Sequence, residues 1–238
     1  MIKFHPSSEQ IKEFVEGTLS PATSLMVSAH CDMCEKCQKQ VELQTELLAA
    51  EMVSSFERQF ASSSDFDSMF AEITQMPSSI ESDGFLSTSQ NDAFDGGSKV
   101  YGSTTIELDG RSFKLPRTLH RYIDKTGNWS SLVGKLWQAP VDLGNQGVAN
   151  FIYMAQGGSV PEHTHRGTEY TLVIDGEFSD GLSHYDTGDF IFMDGEKTHT
   201  PKADTKEGCL VFSIVDQPLH FTSGLARLLN PFSHLFFR

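Results

Sequence analysis

Gly158-Ser159-Val160-Pro161-Glu162-His163-Thr164-His165-Arg166-Gly167-Thr168-Glu169 runs on to Gly176. Some thirty residues later come Gly188-Asp189-Phe190, Asp194-Gly195 and His199. His163 and His165 are two residues apart, so on a strand both imidazoles point to one face. Glu169 has the same parity, and Gly167 allows a local bend between. Three imidazoles and a carboxylate make a ligand set for a divalent transition metal, and Zn, Fe, Mn or Ni all suit it.

The flanking sequence is strand-like. Thr104–Leu108, Asp109-Gly110 and Ser112–Leu115 read as a hairpin with a two-residue turn. Further apolar runs lie at Val148–Ala155, Tyr170–Ile174, Phe190–Met193 and Leu210–Val215, with glycine-containing turns between most of them. Many short strands at close spacing mean a sandwich or a barrel. With its ligands His163, His165, Glu169 and His199, this stretch resembles the two-part metal motif of the cupins, over roughly residues 100–220. That resemblance implies a small antiparallel barrel with the metal in its mouth. Asp194-Gly195 stands where Pro-x-Gly is commoner, a change expected to alter the turn and not the ligand. His120, His184, His220 and His234 match no ligand position and are expected to be surface or ordinary core histidines.

Residues 1–85 differ in kind. They hold only Gly17 and Gly84 of the 19 glycines and no Trp or Tyr. Four helices are expected. Ser7 and Gln10 form a capping box leading to a stop at Gly17, and Ser20-Pro21 starts a second helix toward His30. A third runs from about Glu35 to Arg58. The fourth starts near Asp65 with Phe66, Met69, Phe70 and Ile73 at helical spacing, and Pro77 ends it. These apolar stripes, with Val41, Leu47, Leu48, Met52 and Phe4, Phe14, Phe56, Phe60 and Phe85, are expected to form a core, with docking of a partner helix as the alternative. The seam, Ser82-Asp83-Gly84 through Asp95-Gly96-Gly97-Ser98, has the composition of a linker.

The four cysteines do not make a disulfide framework, because Cys31, Cys34 and Cys37 cluster and only Cys209 stands apart. On a helical wheel His30, Cys34 and Cys37 fall within about 60°, which offers three corners of a tetrahedral zinc site. His5 is the only other histidine of this half and the candidate fourth ligand, with Cys31 competing. His5 with His30-x3-Cys34-x2-Cys37, in an acidic helical module, resembles the zinc-binding anti-sigma domain. Cys31 departs from that pattern and leaves open another ligand set or a disulfide with Cys34 or Cys37.

The chain carries 18 Lys+Arg against 32 Asp+Glu, a net charge of −14. That argues against direct nucleic-acid binding, which needs a basic surface. Residues 1–85 hold 5 basic and 14 acidic side chains, suiting a basic partner. The apolar runs are too short to span a membrane and the start lacks a signal peptide, so the cytoplasm is expected.

The expected fold is therefore α + β in two domains: a helical zinc domain at 1–83, a linker at 84–99 and a cupin-like domain at 100–238. Together the two ligand sets resemble the ChrR-type anti-sigma factors over almost the whole chain. That resemblance implies zinc at the first set and zinc or another divalent metal at the second. It further implies a group IV (extracytoplasmic-function) sigma factor as partner, released when the cupin responds to singlet oxygen or organic hydroperoxides. A homodimer through the cupin is an open option. No catalytic residue is expected, the alternative being a dioxygenase-like cupin enzyme with a helical appendage.

Overall fold

The computed structural model describes residues 1–60, 64–75, 104–108, 110–132, 135–144, 148–217 and 219–222, with positions 224, 227 and 230 beyond them. The expected linker at 84–99, and Phe85 within it, lie outside the described residues. The fold is α + β, a helical N-terminal part followed by an antiparallel cupin. By compactness the chain divides into Met1–Gln44 together with Tyr101–Arg238, and Thr45–Val100. The first 44 residues thus share one compact unit with the strands.

In that unit, α1 (Ser8–Glu16) starts with the expected capping box. The Ser7 hydroxyl accepts from the Gln10 amide and the Gln10 side chain accepts from the Ser7 amide. Gly17, at φ 72°, ends the helix in the left-handed conformation that glycine adopts without a steric cost. The second helix, α2 (Pro21–Cys31), is capped by Ser20 with Pro21 in its first turn. Leu25, Met26, Val27, Ala29 and His30 are all buried, and the four apolar ones join the strands' main core cluster. A helix apolar around most of its girth is one packed on several sides. A third helix, α3 (Glu35–Phe60), starts here.

The strands are β1 (Thr105–Leu108), β2 (Arg111–Lys114), β3 (Ser130–Leu132), β4 (Leu136–Val141), β5 (Val148–Met154), β6 (His163–His165), β7 (Glu169–Ser179), β8 (His184–Asp186), β9 (Phe190–Met193), β10 (Thr198–His199), β11 (Cys209–Val215) and β12 (Leu219–Phe221). Leu108 pairs with Arg111, so β1 and β2 form the expected hairpin. The large sheet runs β3-β4-β5-β11-β7-β8, with β9 also on β7, and a small sheet runs β10-β6-β12. Every residue of β11 is buried. Its continuous run Cys-Leu-Val-Phe-Ser-Ile-Val fits a strand paired on both edges and covered on both faces. Phe151 and Phe212, neighbours in the register of β5 and β11, are fully buried with ring centroids 5.0 Å apart. Burying each ring contributes roughly 1.5–3 kcal/mol.

The second unit holds the rest of α3 and α4 (Ser64–Gln75). The helices are where the apolar spacing put them, but the packing expected of their stripes is not. Leu47, Met52, Val53, Met69, Phe70 and Ile73 are each between 52 and 63% exposed. Periodicity marks the face of a helix that excludes water when buried, and does not say what buries it. The side chains of Phe56, Phe60 and Phe66 lie outside the described residues.

Candidate functional site

Among the described residues two groups of His, Cys, Asp and Glu side chains could hold a metal ion, and both lie in the first unit. They contain all eight expected ligands and no others.

The first group is His5, His30, Cys34 and Cys37, whose ligand atoms all lie within 4.8 Å of one another. The reason differs from the single helical face expected. His30 is near the end of α2, Cys34 sits in the break between helices, and Cys37 is in the first turn of α3. The break between the helices brings the three together. Cys31, the last residue of α2, is left outside the group as a free thiol.

His5 Nδ1 is 3.4 Å from His30 Nε2, 3.5 Å from Cys34 Sγ and 3.4 Å from Cys37 Sγ. His30 Nε2 is 3.3 Å from Cys37 Sγ. A tetrahedral zinc site with bonds of about 2.3 Å to sulfur and 2.0 Å to nitrogen spaces its ligands roughly 3.3–3.8 Å apart. The donor set and its edges fit that ion.

His30 is completely buried, and its Nδ1 donates to the Gly188 carbonyl at 2.9 Å. That bond fixes the tautomer and leaves the Nε2 lone pair free for a metal. Burial, partly opposed by the Gly188 bond, holds the His30 pKa down at about 4. Burial pushes the Cys37 thiol up to about 12, with Cys34 adding to the effect. Without a cation the thiol keeps its proton, so metal binding here releases one.

The second group is His163 and His165 on β6, His199 on β10 and Glu169 at the start of β7. His199 pairs with His163 across the small sheet, and Glu169 reaches in from the large one. Gly167 lies in the corner between β6 and β7. A side chain there would collide with the Asp216 carboxylate, which accepts from the Thr168 amide at 2.7 Å.

His199 Nε2 lies 2.9 Å from His163 Nε2 and 3.0 Å from His165 Nε2. Glu169 Oε2 is 2.9 Å from His165 Nε2 and 3.9 Å from His199 Nε2. The other carboxylate oxygen, Oε1, accepts from the Thr171 and Ser213 hydroxyls, both at 2.9 Å. His163 Nδ1 donates to the Pro161 carbonyl at 2.8 Å, which turns its Nε2 lone pair toward the other rings. Converging lone pairs repel unless a cation sits among them. Right-angle neighbours at bond lengths of about 2.1 Å stand about 3.0 Å apart, so these edges suit a shell of more than four ligands. Burial alone would raise the Glu169 pKa, but the His165 hydrogen bond and the neighbouring imidazoles outweigh it and keep the carboxylate ionised.

A mostly apolar cavity of about 90 Å³ adjoins this group. Ile152, Met154, Phe178, Met193 and Val211 line it, with His163, Glu169 and His199 at one side. Tyr170 and Tyr185 are not in its wall. Tyr185 is buried and hydrogen-bonded to Asp180 at 3.0 Å.

Two features escaped the sequence. Asp180, 2% exposed, places Oδ2 3.6 Å from His199 Nδ1 while Oδ1 accepts from the Leu182 and Ser183 amides. In sequence, Ser179-Asp180-Gly181 signals only a turn. The Gly188-Asp189 turn supplies the carbonyl partner of His30. Of the other histidines, His120 bonds the Leu115 carbonyl at 3.0 Å, His184 is exposed, and His234 lies outside the described residues.

Fold and clusters define a cupin joined to a helical module with a His2Cys2 group. Residues 123–217 match the family described as the ChrR cupin-like domain. The chain is 28% identical to the anti-sigma-E factor ChrR of Cereibacter sphaeroides over 234 residues, covering 97% of this chain and 98% of that protein. The fold matches the crystal structure of Rhodobacter sphaeroides SigE in complex with the anti-sigma ChrR. That match has a TM-score of 0.60 and 22% identity over 91% of this chain and 100% of the other. In both parts and their order, the chain resembles the ChrR-type anti-sigma factors.

Proposed function

We propose that this protein is an anti-sigma factor that binds a group IV sigma factor through its helical module and holds it inactive. The carrying observation is the reach of the resemblance to ChrR, 28% identity over 97% of this chain. The exposed apolar faces of α3 and α4 add a physical reason, since a patch of this kind marks a surface that another protein covers. The working division is the helical module at 1–83, the linker at 84–99 and the cupin at 100–238.

In this reading His5, His30, Cys34 and Cys37 hold zinc, whose role is structural, because metal binding in so small a module is folding energy. His163, His165, Glu169 and His199 hold zinc or another divalent transition metal, iron, manganese or nickel. The cupin is the sensor, and an oxidant such as singlet oxygen or an organic hydroperoxide is the signal that releases the sigma factor. The protein acts in the cytoplasm, without contacting nucleic acid, as a regulator and not an enzyme. Among the described residues no helix is long and apolar enough to cross a membrane.

The test is co-purification of the full chain with the group IV sigma factors of its source genome, using wild type and Cys34→Ala/Cys37→Ala, with metal counted in each. A one-to-one complex carrying zinc, lost in the variant, is expected. A folded, zinc-loaded chain that captures none of them would overturn the proposal. The apolar cavity beside the second group favours a second reading, a metal-dependent cupin enzyme. Turnover of an oxygen-containing substrate, abolished by His163→Ala, is its signature.

A further inference from the structure

We infer that the β8–β9 turn of the cupin, Asp186 to Phe190, is the outer shell of the N-terminal metal site and sets that site's affinity. The inference rests on the reading of His5, His30, Cys34 and Cys37 as metal ligands.

Both histidines of the group are held by this one turn. The Gly188 carbonyl accepts from His30 Nδ1 at 2.9 Å, although the two residues are 158 positions apart. His5 has no helix of its own and is positioned through Phe4. Asp189, completely buried, accepts the Lys3 and Phe4 amides on Oδ1 at 2.6 and 3.0 Å. Its Oδ2 accepts from the Asp186 amide at 2.8 Å, which closes the turn. The Phe190 amide then donates to the Phe4 carbonyl at 3.0 Å, and the Phe4 ring lies 4.8 Å from that of Tyr185. Gly188 sits at φ +92°, and a side chain there would collide with Ile2, 2.5 Å from its Cδ1. Cys34 and Cys37, by contrast, are placed by the break between α2 and α3.

The consequence is a site assembled from two sources, thiolates from the helices and imidazoles oriented by the cupin. Outer-shell partners that fix a ligand's tautomer and direction typically govern metal affinity by 10- to 100-fold. Disturbing the turn, or the segment resting on it, therefore loosens the metal without touching a ligand.

Cobalt(II) isolates the readout, because only a thiolate site gives the sulfur-to-cobalt charge-transfer band and the second cluster has no sulfur. The full chain is titrated with cobalt, and zinc is then competed against it, for wild type, Asp189→Ala and Phe4→Ala. Phe4→Ala removes a ring of the N-terminal segment and alters no residue of a cupin strand. Circular dichroism and the metal content of the second cluster report on folding. Both variants are expected to bind cobalt and zinc at the thiolate site about tenfold or more weakly, with the second cluster still filled. Wild-type affinity in Phe4→Ala and in a folded Asp189→Ala would overturn the inference while leaving the metal reading intact. A wild-type chain with no thiolate band would overturn both.

Discussion

The Asp180 carboxylate stands 3.6 Å from Nδ1 of His199, just beyond a hydrogen bond, and among the described residues no other partner serves that buried nitrogen. Asp180 is itself fixed by two backbone amides and the Tyr185 hydroxyl. A small rotation of the ring makes the carboxylate–histidine pair that raises imidazole basicity at metal sites. Asp180→Ala is expected to weaken metal binding at the second cluster by roughly 10- to 100-fold. Competition with a chelator measures it, and unchanged affinity would deny Asp180 this role.

The first cluster makes a separate prediction about the crowded cysteines. Cys31 is half-buried with its thiol pushed up to about 11 by burial, then by Cys34 and Asp32, and it lies outside the ligand group. Cys31→Ser is expected to retain the metal of the wild type, whereas Cys34→Ser loses it. Metal counting on the purified proteins separates them, and equal loss in both would place Cys31 among the ligands.

For the exposed helical faces, stability and binding should part company. Met69, Phe70 and Ile73 follow helical spacing on α4 and are more than half exposed. Serine at each is expected to change stability by about 0.5 kcal/mol or less, because little burial is lost. The triple variant is expected to lose capture of the sigma factor while melting like the wild type. A large drop in the melting temperature would mean these side chains are packed within the chain.

Cys209 carries an alkaline signature. It is completely buried on β11, and burial first, then Asp175 and Glu177, raises its thiol far above the ordinary value of 9.0. A group whose folded pKa is raised stabilises the protein fully below its unfolded value, and that contribution drains away as pH climbs past it. Denaturant titrations at about pH 8 and pH 10 should show wild type losing about 1 kcal/mol more than Cys209→Ala. Parallel losses would mean the thiol ionises in place.

Much of this could be read from residue order, and the exceptions have physical causes. The caps at Ser7, Gly17 and Ser20 are local chemistry, so α1 and α2 begin and end where their sequences say. His163, His165 and Glu169 share a strand parity that the β6–β7 corner preserves, and His199 is delivered by cross-strand pairing. Tertiary contacts were not legible. The Gly188 carbonyl serves His30 from 158 residues away, and a carbonyl has no letter in the sequence. The apolar stripes of α3 and α4 named a face without naming its cover. Asp180 was not legible either, because nothing in Ser179-Asp180-Gly181 marks its approach to His199.

Strand β9 is only four residues long, yet Phe190 at its start follows the turn that holds His30, while Met193 at its end pairs with Glu169. An extended backbone neither stretches nor shortens appreciably, and four residues span about 13 Å. Its register on β7 advances only in whole residues, each step turning every side chain to the opposite face. One short strand thus joins the turn that orients His30 to the residue paired with Glu169, so the two clusters share a single stretch of extended backbone.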